Sequence, residues 1–136
     1  METLIIWQEK YSVHVKEIDD QHKKLIDMIN ELFDAFMRKD QEDAIEKILH
    51  DMAAYSVDHF YTEEKYFSQF GYSDSEKHIA EHRKFTLEVE KFHNEYKRNS
   101  YMLTSKLMAF LREWLNHHIL EVDKKYVDCF TAAGLR

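Results

Sequence analysis

Four long stretches of this sequence carry apolar residues at every third or fourth position, and no proline interrupts any of them. The whole chain of 136 residues contains no proline and only two glycines. Proline breaks a helix because it lacks an N–H and clashes with the preceding turn, and glycine weakens a helix through its backbone entropy. Apolar residues at this spacing form one face of a helix. The sequence therefore predicts an all-α protein.

Polar breaks divide the four stretches. Asp19 or Asp20 is suited to opening the first helix, because an early acidic residue caps free N–H groups and complements the helix dipole. A polar run at 38–40 ends that helix, and the second is expected to start near Gln41. Gly71 is suited to the left-handed residue that follows a helix.

The third and fourth helices have start signals of their own. Ser73 followed three residues later by Glu76 is typical of a capping box, and residues 99–100 provide the next break. Four amphipathic helices with short connections predict an antiparallel up-down-up-down four-helix bundle.

The two ends of the chain lack this long helical period. Residues 1–17 contain β-branched and aromatic residues without it, which predicts an extended N-terminal arm across the bundle. Tyr126 and Phe130 belong to a final segment that predicts a short C-terminal helical tail over one end. A chain of this length suits one core, so we expect residues 1–136 to form a single domain.

Composition excludes several classes of function. The net charge is −7 with acidic and basic residues interspersed, which argues against nucleic acid as a partner. The sequence contains no apolar run long enough to span a bilayer and no recognisable signal peptide, so no membrane association is expected. A lone cysteine, Cys129, excludes an internal disulfide and suits a reducing compartment. We therefore expect a cytoplasmic protein.

Several ionisable residues fall on the apolar faces of the predicted helices. They are His22, His59, Glu63, His78, His82 and His118, with Asp123 just beyond the last. A single histidine on such a face is a hydrogen-bonded core residue in roughly two cases of three. Seven together are different, because each unpaired buried polar group costs about 1–3 kcal/mol against a total stability of roughly 5–15 kcal/mol. Metal ions would satisfy all seven.

The composition of this set suggests the kind of metal centre. Five neutral imidazoles and two carboxylates carry two negative charges, which suits two divalent ions bridged by the carboxylates. Mixed imidazole and carboxylate ligands favour iron, with manganese or zinc as competitors.

The weakest assignment is Asp123, because it follows His118 by five residues rather than four. On an ideal helix it lies off the stripe, and it reaches the site only if the helix loosens or the carboxylate arcs around.

The sequence resembles the hemerythrin family in its single-domain bacterial form. The match covers nearly the whole chain, in order and with family-like spacings. Its pieces are Trp7, Ser12-Val13, Ile18-Asp19-Asp20-Gln21-His22, His59-Phe60-Tyr61-Thr62-Glu63-Glu64, Gly71-Tyr72, His78-Ile79-Ala80-Glu81-His82, Trp114-Leu115-Asn116-His117-His118-Ile119 and Asp123.

The resemblance implies a non-haem di-iron centre, with an oxo or hydroxo bridge, that binds dioxygen. In it, one iron is ligated by His78, His82 and His118, the other by His22 and His59, and Glu63 and Asp123 bridge them. Dioxygen binds at the open position of the iron with two histidines. The residues that wall the oxygen pocket are Phe60, Trp114, Leu115 and Ile119.

Two histidines depart from the family pattern or lie beside it. His14 stands where a small residue, often glycine, is expected. His117 directly precedes a ligand position and points about a hundred degrees away on a helix, so it is expected at the surface or rim.

Four functions are compatible with such a site. Reversible oxygen binding, as carrier, store or supplier to an oxygen-using enzyme, is the leading hypothesis. Oxygen or redox sensing through a protein partner is the second. Oxidase or peroxidase activity is less favoured, because ferritin-like enzymes need two Glu-x-x-His motifs and only Glu90 to His93 has this spacing. Iron or zinc storage or repair is the fourth.

Overall fold

The computed structural model describes residues 5–38, 42–95 and 100–136, and the regular secondary structure of these residues is all helical. Four long helices form an antiparallel bundle, as the sequence predicts. We number them α1 (Lys16–Arg38), α2 (Glu42–Phe70), α3 (Ser75–Glu95) and α4 (Ser100–Trp114). Within the described residues, none of the helices combines the length and the apolar character needed to cross a membrane.

The four helices enclose two apolar clusters. Helix α1 packs against α2 and α4, and α3 packs against the same two helices, so the four surround a common interior. The larger cluster, which we call the main core, includes Leu25, Ile29, Leu49, Phe85 and Leu111. The smaller, which we call the end cluster, consists of Val13, Val15, Ile18, Phe67, Tyr72, Tyr126 and Phe130. The buried histidines and carboxylates lie between the main core and the end cluster.

The N-terminal segment differs from the prediction in two respects. The arm is not extended throughout, because Glu9–Tyr11 form a single 3₁₀ turn. Helix α1 begins at Lys16 rather than at Asp19 or Asp20. The Asp19 carboxylate accepts hydrogen bonds from the Val13 N–H, at 2.8 Å, and from the Ser12 hydroxyl, at 2.6 Å. It therefore fastens the arm onto the first turn of α1, a role that its sequence position alone did not reveal.

The turn between α2 and α3 is built on Gly71. Its φ of +65° lies in the left-handed region, where a residue without Cβ is favoured. The N–H of Tyr72 donates to the carbonyl of Phe67 at 3.0 Å, and the rings of these two residues lie 5.1 Å apart. This is a Schellman termination with its apolar contact.

The start of α3 falls slightly later than predicted. The His78 N–H donates to the Asp74 carbonyl at 3.1 Å, so Asp74, not Ser73, occupies the capping position. The predicted break at Lys39 and Asp40, the start near Gln41 and the break at Asn99 lie outside the described residues.

The chain beyond α4 changes its helical form twice. A π-helix (Leu115–Val122) continues α4 and is followed by a 3₁₀ turn (Asp123–Tyr126). A final helix, α5 (Val127–Ala132), is the predicted C-terminal tail. Phe130 on α5 is fully buried and stacks on Tyr126 with ring centroids 4.4 Å apart. The tail therefore closes one end of the bundle through the end cluster.

Candidate metal centre

The structure brings all seven predicted site residues together in the interior. Helix α1 contributes His22, α2 contributes His59 and Glu63, and α3 contributes His78 and His82. The π-helix contributes His118, and the 3₁₀ turn after it contributes Asp123. None of the seven exposes more than 3% of its surface. Helices α1, α2 and α3 and the two helical segments that follow α4 thus each supply at least one buried imidazole or carboxylate.

The seven side chains form two overlapping groups of potential metal ligands. The five-residue group consists of Glu63, His78, His82, His118 and Asp123. The four-residue group consists of His22, His59, Glu63 and Asp123. Within each group, one ligand atom from every member lies within 4.8 Å of all the others. Both carboxylates belong to both groups, which is the arrangement that two bridged cations require.

Asp123 divides its two oxygens between the groups. Its Oδ2 lies 3.1 Å from Nε2 of His22. Its Oδ1 lies 2.9 Å from Nε2 of His78 and 3.0 Å from Nε2 of His118. One carboxylate oxygen therefore faces each half of the site.

Glu63 lies between histidines of both groups. Its Oε1 is 3.2 Å from Nε2 of His59 in the four-residue group. The same oxygen is 3.2 Å from Nε2 of His82 in the five-residue group. His59 and Glu63 are neighbours on α2 because residues four apart share one helix face.

The π-helix explains how Asp123 reaches the site. The N–H of Asp123 donates to the carbonyl of His118, five residues earlier. In a π-helix this i→i+5 bond replaces the i→i+4 bond of an α-helix, so residues five apart lie on one face. The loosened helix that the five-residue spacing requires is therefore present.

The buried polar atoms of the site fit cation binding better than mutual hydrogen bonding. Both ring nitrogens of His22 and of His78 have no hydrogen-bond partner among the described residues. The same holds for Nε2 of His82 and of His118 and for both oxygens of Glu63 and Asp123. These atoms approach one another closely, yet not in hydrogen-bond geometry. Unpaired lone pairs that converge in an apolar interior are satisfied by metal ions.

The electrostatics of the site favour ionised carboxylates. Burial would raise the pKa of Asp123, but the positive charge on His118 outweighs burial and holds this pKa well below its usual range. Burial and the Asp123 charge also act to raise the pKa of Glu63, and contacts with His59 and His82 lower it overall. Burial lowers the pKa of His118, whereas Asp123 and Glu81 raise it, with a net value of about 10.

Three outer residues that sequence reasoning left without a role hold the imidazoles from behind. Nδ1 of His59 lies 2.7 Å from Oε1 of Gln21. Nδ1 of His82 lies 2.9 Å from Oε2 of Glu64, and Nδ1 of His118 lies 2.9 Å from Oε1 of Glu81. Such partners fix ring orientation and leave Nε2 free toward a metal. Their signal in the sequence is that each directly adjoins a site residue and lies within a family-like motif.

Aromatic side chains cover the outer side of two imidazoles. Phe60 stacks on His82 with ring centroids 3.9 Å apart, and Trp114 stacks on His118 at 3.8 Å. Phe60 also lies 5.7 Å from His59. The predicted pocket residues Leu115 and Ile119 are buried in the main core beside this aromatic pair. The aromatic part of the predicted pocket wall therefore stacks on the five-residue group.

Phe60 separates the site from a surface cleft between α2 and α3. The cleft has a volume of about 420 Å³ and is lined by both Phe60 and His82. Its rim carries Val57, Tyr61 and Leu87, all well exposed. Because Phe60 is buried and stacked on His82, it shields that imidazole from the solvent in the cleft.

Two tyrosines complete the enclosure. Tyr126 is fully buried, with its ring 5.6 Å from His78 and its hydroxyl without a hydrogen-bond partner among the described residues. Burial raises the pKa of Tyr126 well above its usual value. Tyr55 stacks on His59 at 5.5 Å and donates its hydroxyl to the Gln21 carbonyl. Neither phenol was assigned to the site from the sequence.

The remaining histidines lie outside the site, as expected. His117 is exposed, and its ring nitrogens are 3.3 Å from Glu121 and 3.8 Å from Glu81. His14 is exposed and has a φ of +63°, which a glycine would adopt without strain. The departure from the expected small residue at position 14 thus falls on a left-handed backbone position.

Comparison with known proteins agrees with this geometry. The family model described as the hemerythrin HHE cation binding domain matches residues 13–130. A bacteriohemerythrin of Clostridium acetobutylicum is 28% identical over 131 residues, covering 92% of this chain and 100% of that protein. A bacteriohemerythrin of Methylococcus capsulatus is 32% identical, covering 95% of this chain and 98% of that protein. A crystal structure of wild-type hemerythrin superposes with a TM-score of 0.82 at 32% identity, covering 93% of this chain and 98% of that chain.

The matched region contains all seven buried imidazoles and carboxylates, from His22 to Asp123. The relatives match over nearly their whole length, and the fold agrees with the solved structure. The chain therefore belongs to the hemerythrin HHE cation-binding domain family.

Proposed function

We propose that this chain binds dioxygen reversibly at a centre of two iron ions and serves as an oxygen carrier, store or supplier. The observation that carries the proposal is the pair of buried ligand groups that share Glu63 and Asp123. Five imidazoles and two carboxylates suit two divalent cations with bridging carboxylates. Mixed nitrogen and oxygen ligands favour iron among the available metals. The bundle then acts as one domain built around this centre.

The two halves of the centre differ in the number of histidines. We assign His78, His82 and His118 to one iron, and His22 and His59 to the other. Glu63 and Asp123 would bridge the two, together with an oxo or hydroxo group. The half with two histidines has fewer protein ligands, which leaves a position for a small molecule.

The surrounding residues would control what reaches that position. Ferrous ions held by the seven site residues would supply the electrons that dioxygen accepts on binding and returns on release. Water would be excluded from the site by the four pocket residues Phe60, Trp114, Leu115 and Ile119. Without water, the bound oxygen is released less readily as superoxide or peroxide. Gln21, Glu64 and Glu81 hold three imidazoles in orientation through their Nδ1 atoms.

We propose binding rather than catalytic turnover. Ferritin-like di-iron enzymes carry more carboxylate ligands, including two Glu-x-x-His motifs. The seven residues of this centre include only two carboxylates. The histidine-rich set favours the reduced state and offers less charge to support highly oxidised iron. We place the function in the cytoplasm, with no nucleic-acid or membrane partner.

The test is metal content and the visible spectrum of protein purified without oxygen and then exposed to air. We expect about two irons per chain and a charge-transfer band that appears in air and disappears under argon. Conversion straight to a ferric state, without a reversible species, would contradict oxygen carriage and favour redox sensing. A preparation that excludes iron and takes up zinc would overturn the oxygen chemistry.

A further inference from the structure

The three outer hydrogen bonds of the site differ in the charge of their acceptors. A carboxylate faces Nδ1 of two histidines: Glu64 faces His82, and Glu81 faces His118. Both histidines belong to the half with three histidines. Gln21 places a neutral amide on His59, in the half with two histidines. A carboxylate that accepts from Nδ1 makes an imidazole a stronger donor to metal than a neutral acceptor does.

The orientation of the Gln21 amide is fixed by a chain of hydrogen bonds. The Thr62 hydroxyl donates its one hydrogen to the Asp58 carbonyl at 3.0 Å. Toward Gln21 it can therefore only accept, and Nε2 of Gln21 donates to it at 3.0 Å. Oε1 of Gln21 must then face His59.

The amide oxygen in turn fixes the tautomer of His59. Because Oε1 of Gln21 can only accept, the hydrogen of the neutral ring resides on Nδ1. The lone pair of the imidazole is then on Nε2, the atom that lies 3.2 Å from Glu63 Oε1. The backbone of Gln21 is also held, because the Tyr55 hydroxyl donates to the Gln21 carbonyl.

We infer that Gln21 is a positioning residue that fixes His59 through Nδ1 and, being neutral, keeps the half with two histidines the weaker electron donor. This inference rests on the proposed di-iron function. A weaker donor set favours the ferrous state in the half with the open position. Neutral Gln21 thus protects the oxygen-binding half from oxidation, while Glu64 and Glu81 strengthen the other half.

The first experiment tests the hydrogen bond without iron. We would load the full chain with Zn²⁺ and follow the His59 Nδ1 proton by NMR. In the unaltered protein we expect a slowly exchanging proton, and in Gln21→Met, which keeps the volume and removes the acceptor, exchange at least tenfold faster. Thr62→Val should also speed exchange by releasing the amide, and Thr62→Ser should restore it. Equal exchange rates in all four proteins would overturn the positioning role, whether or not the protein carries oxygen.

The second experiment tests the effect of charge in the iron-loaded protein. Gln21→Glu keeps the shape and introduces an anionic acceptor, so we expect about a tenfold shift toward the oxidised state, or about 59 mV for a one-electron couple. Glu81→Gln is the matched reverse exchange and should move the potential the opposite way. If Gln21→Glu leaves the potential unchanged while Glu81→Gln changes it, the inference about Gln21 is wrong. Failure of every protein to take up iron would instead count against the di-iron function, with the Zn²⁺ result still standing for the hydrogen bond.

Discussion

Asp123 follows His118 by five residues, and its Oδ1 lies 3.0 Å from Nε2 of the His118 imidazole. The backbone bond from Asp123 N–H to His118 carbonyl closes the π-turn that makes this contact. One residue thereby serves both ligand groups, since its second oxygen faces His22. Asp123, like Glu63, therefore links the two ligand groups.

Asp123→Asn should reduce metal content well below two ions per chain. The substitution keeps the volume but replaces one shared carboxylate oxygen by an amide nitrogen that cannot ligate. Metal analysis of protein loaded at a fixed iron concentration measures the loss. Asp128→Asn, an exposed carboxylate on the same tail, is the matched control and should keep both ions. Two ions retained in Asp123→Asn would show that Asp123 does not bridge.

His82→Ala should lose most of the bound metal. It removes one imidazole from the five-residue group and leaves Glu64 without its hydrogen-bond partner. Changes to ligand partners alone typically weaken metal binding about 10–100-fold, so removal of a ligand should have at least that effect. His50→Ala, at an exposed position on α2, is the control. Stoichiometric iron in His82→Ala would argue against this ligand assignment.

Leu115→Ala should keep its iron but oxidise faster in air. Leu115 is buried in the main core, at the start of the π-helix that carries His118, and truncation leaves space for water beside the site. Decay of the oxygenated spectrum measures the rate, for which we expect about a tenfold rise. Leu87→Ala removes the same atoms from an exposed leucine and should have no effect. An unchanged rate in Leu115→Ala would mean that this residue is not part of the pocket wall.

His14→Gly should stabilise the fold by about 0.5–1 kcal/mol. His14 is exposed with a φ of +63°, so its Cβ is strained there, whereas glycine adopts this region freely. Urea unfolding at a fixed metal concentration gives the difference. His14→Ala keeps the Cβ and should bring no gain. Equal stabilisation by both substitutions would locate the effect in the imidazole rather than in the backbone.

Metal uptake by the metal-free protein should release at least one proton per chain at pH 8. His118 has a pKa of about 10, raised by Asp123 and Glu81 against the effect of burial, so it is protonated at this pH. A histidine ligates metal only as the neutral imidazole, so binding displaces that proton. Affinity should therefore rise as pH increases toward about 10 and fall as pH decreases. Calorimetry in buffers of different ionisation enthalpy counts the protons, and an enthalpy independent of buffer would refute the displacement.

Much of the fold was predictable because its signals are local. Long apolar stripes without proline define the helices, and Gly71 marks the turn after α2. The start of α1 was not predictable from Asp19, since this carboxylate serves Ser12 and Val13 of the preceding arm. Acidic residues signal helix starts only when their partners are the helix's own N–H groups.

The seven buried site residues were visible as polar interruptions of apolar faces. Asp123 was the weakest of these, because its five-residue spacing from His118 fits one helix face only where the helix widens into a π-helix. Gln21, Glu64 and Glu81 lie within the family-like motifs, but their hydrogen bonds to histidines could not be predicted, since these partners come from other helices. The tyrosines Tyr55 and Tyr126 resembled core aromatics for the same reason.

The position of Asp123 near the C-terminal tail also has a consequence for biosynthesis. During translation, His22, His59, Glu63, His78 and His82 emerge from the ribosome well before His118 and Asp123. Neither ligand group is complete until Asp123 has appeared, and the end cluster cannot close until Tyr126 and Phe130 follow. Both ligand groups therefore become complete only after Asp123 has been synthesised, and a chain terminated before this residue lacks a carboxylate that both groups share.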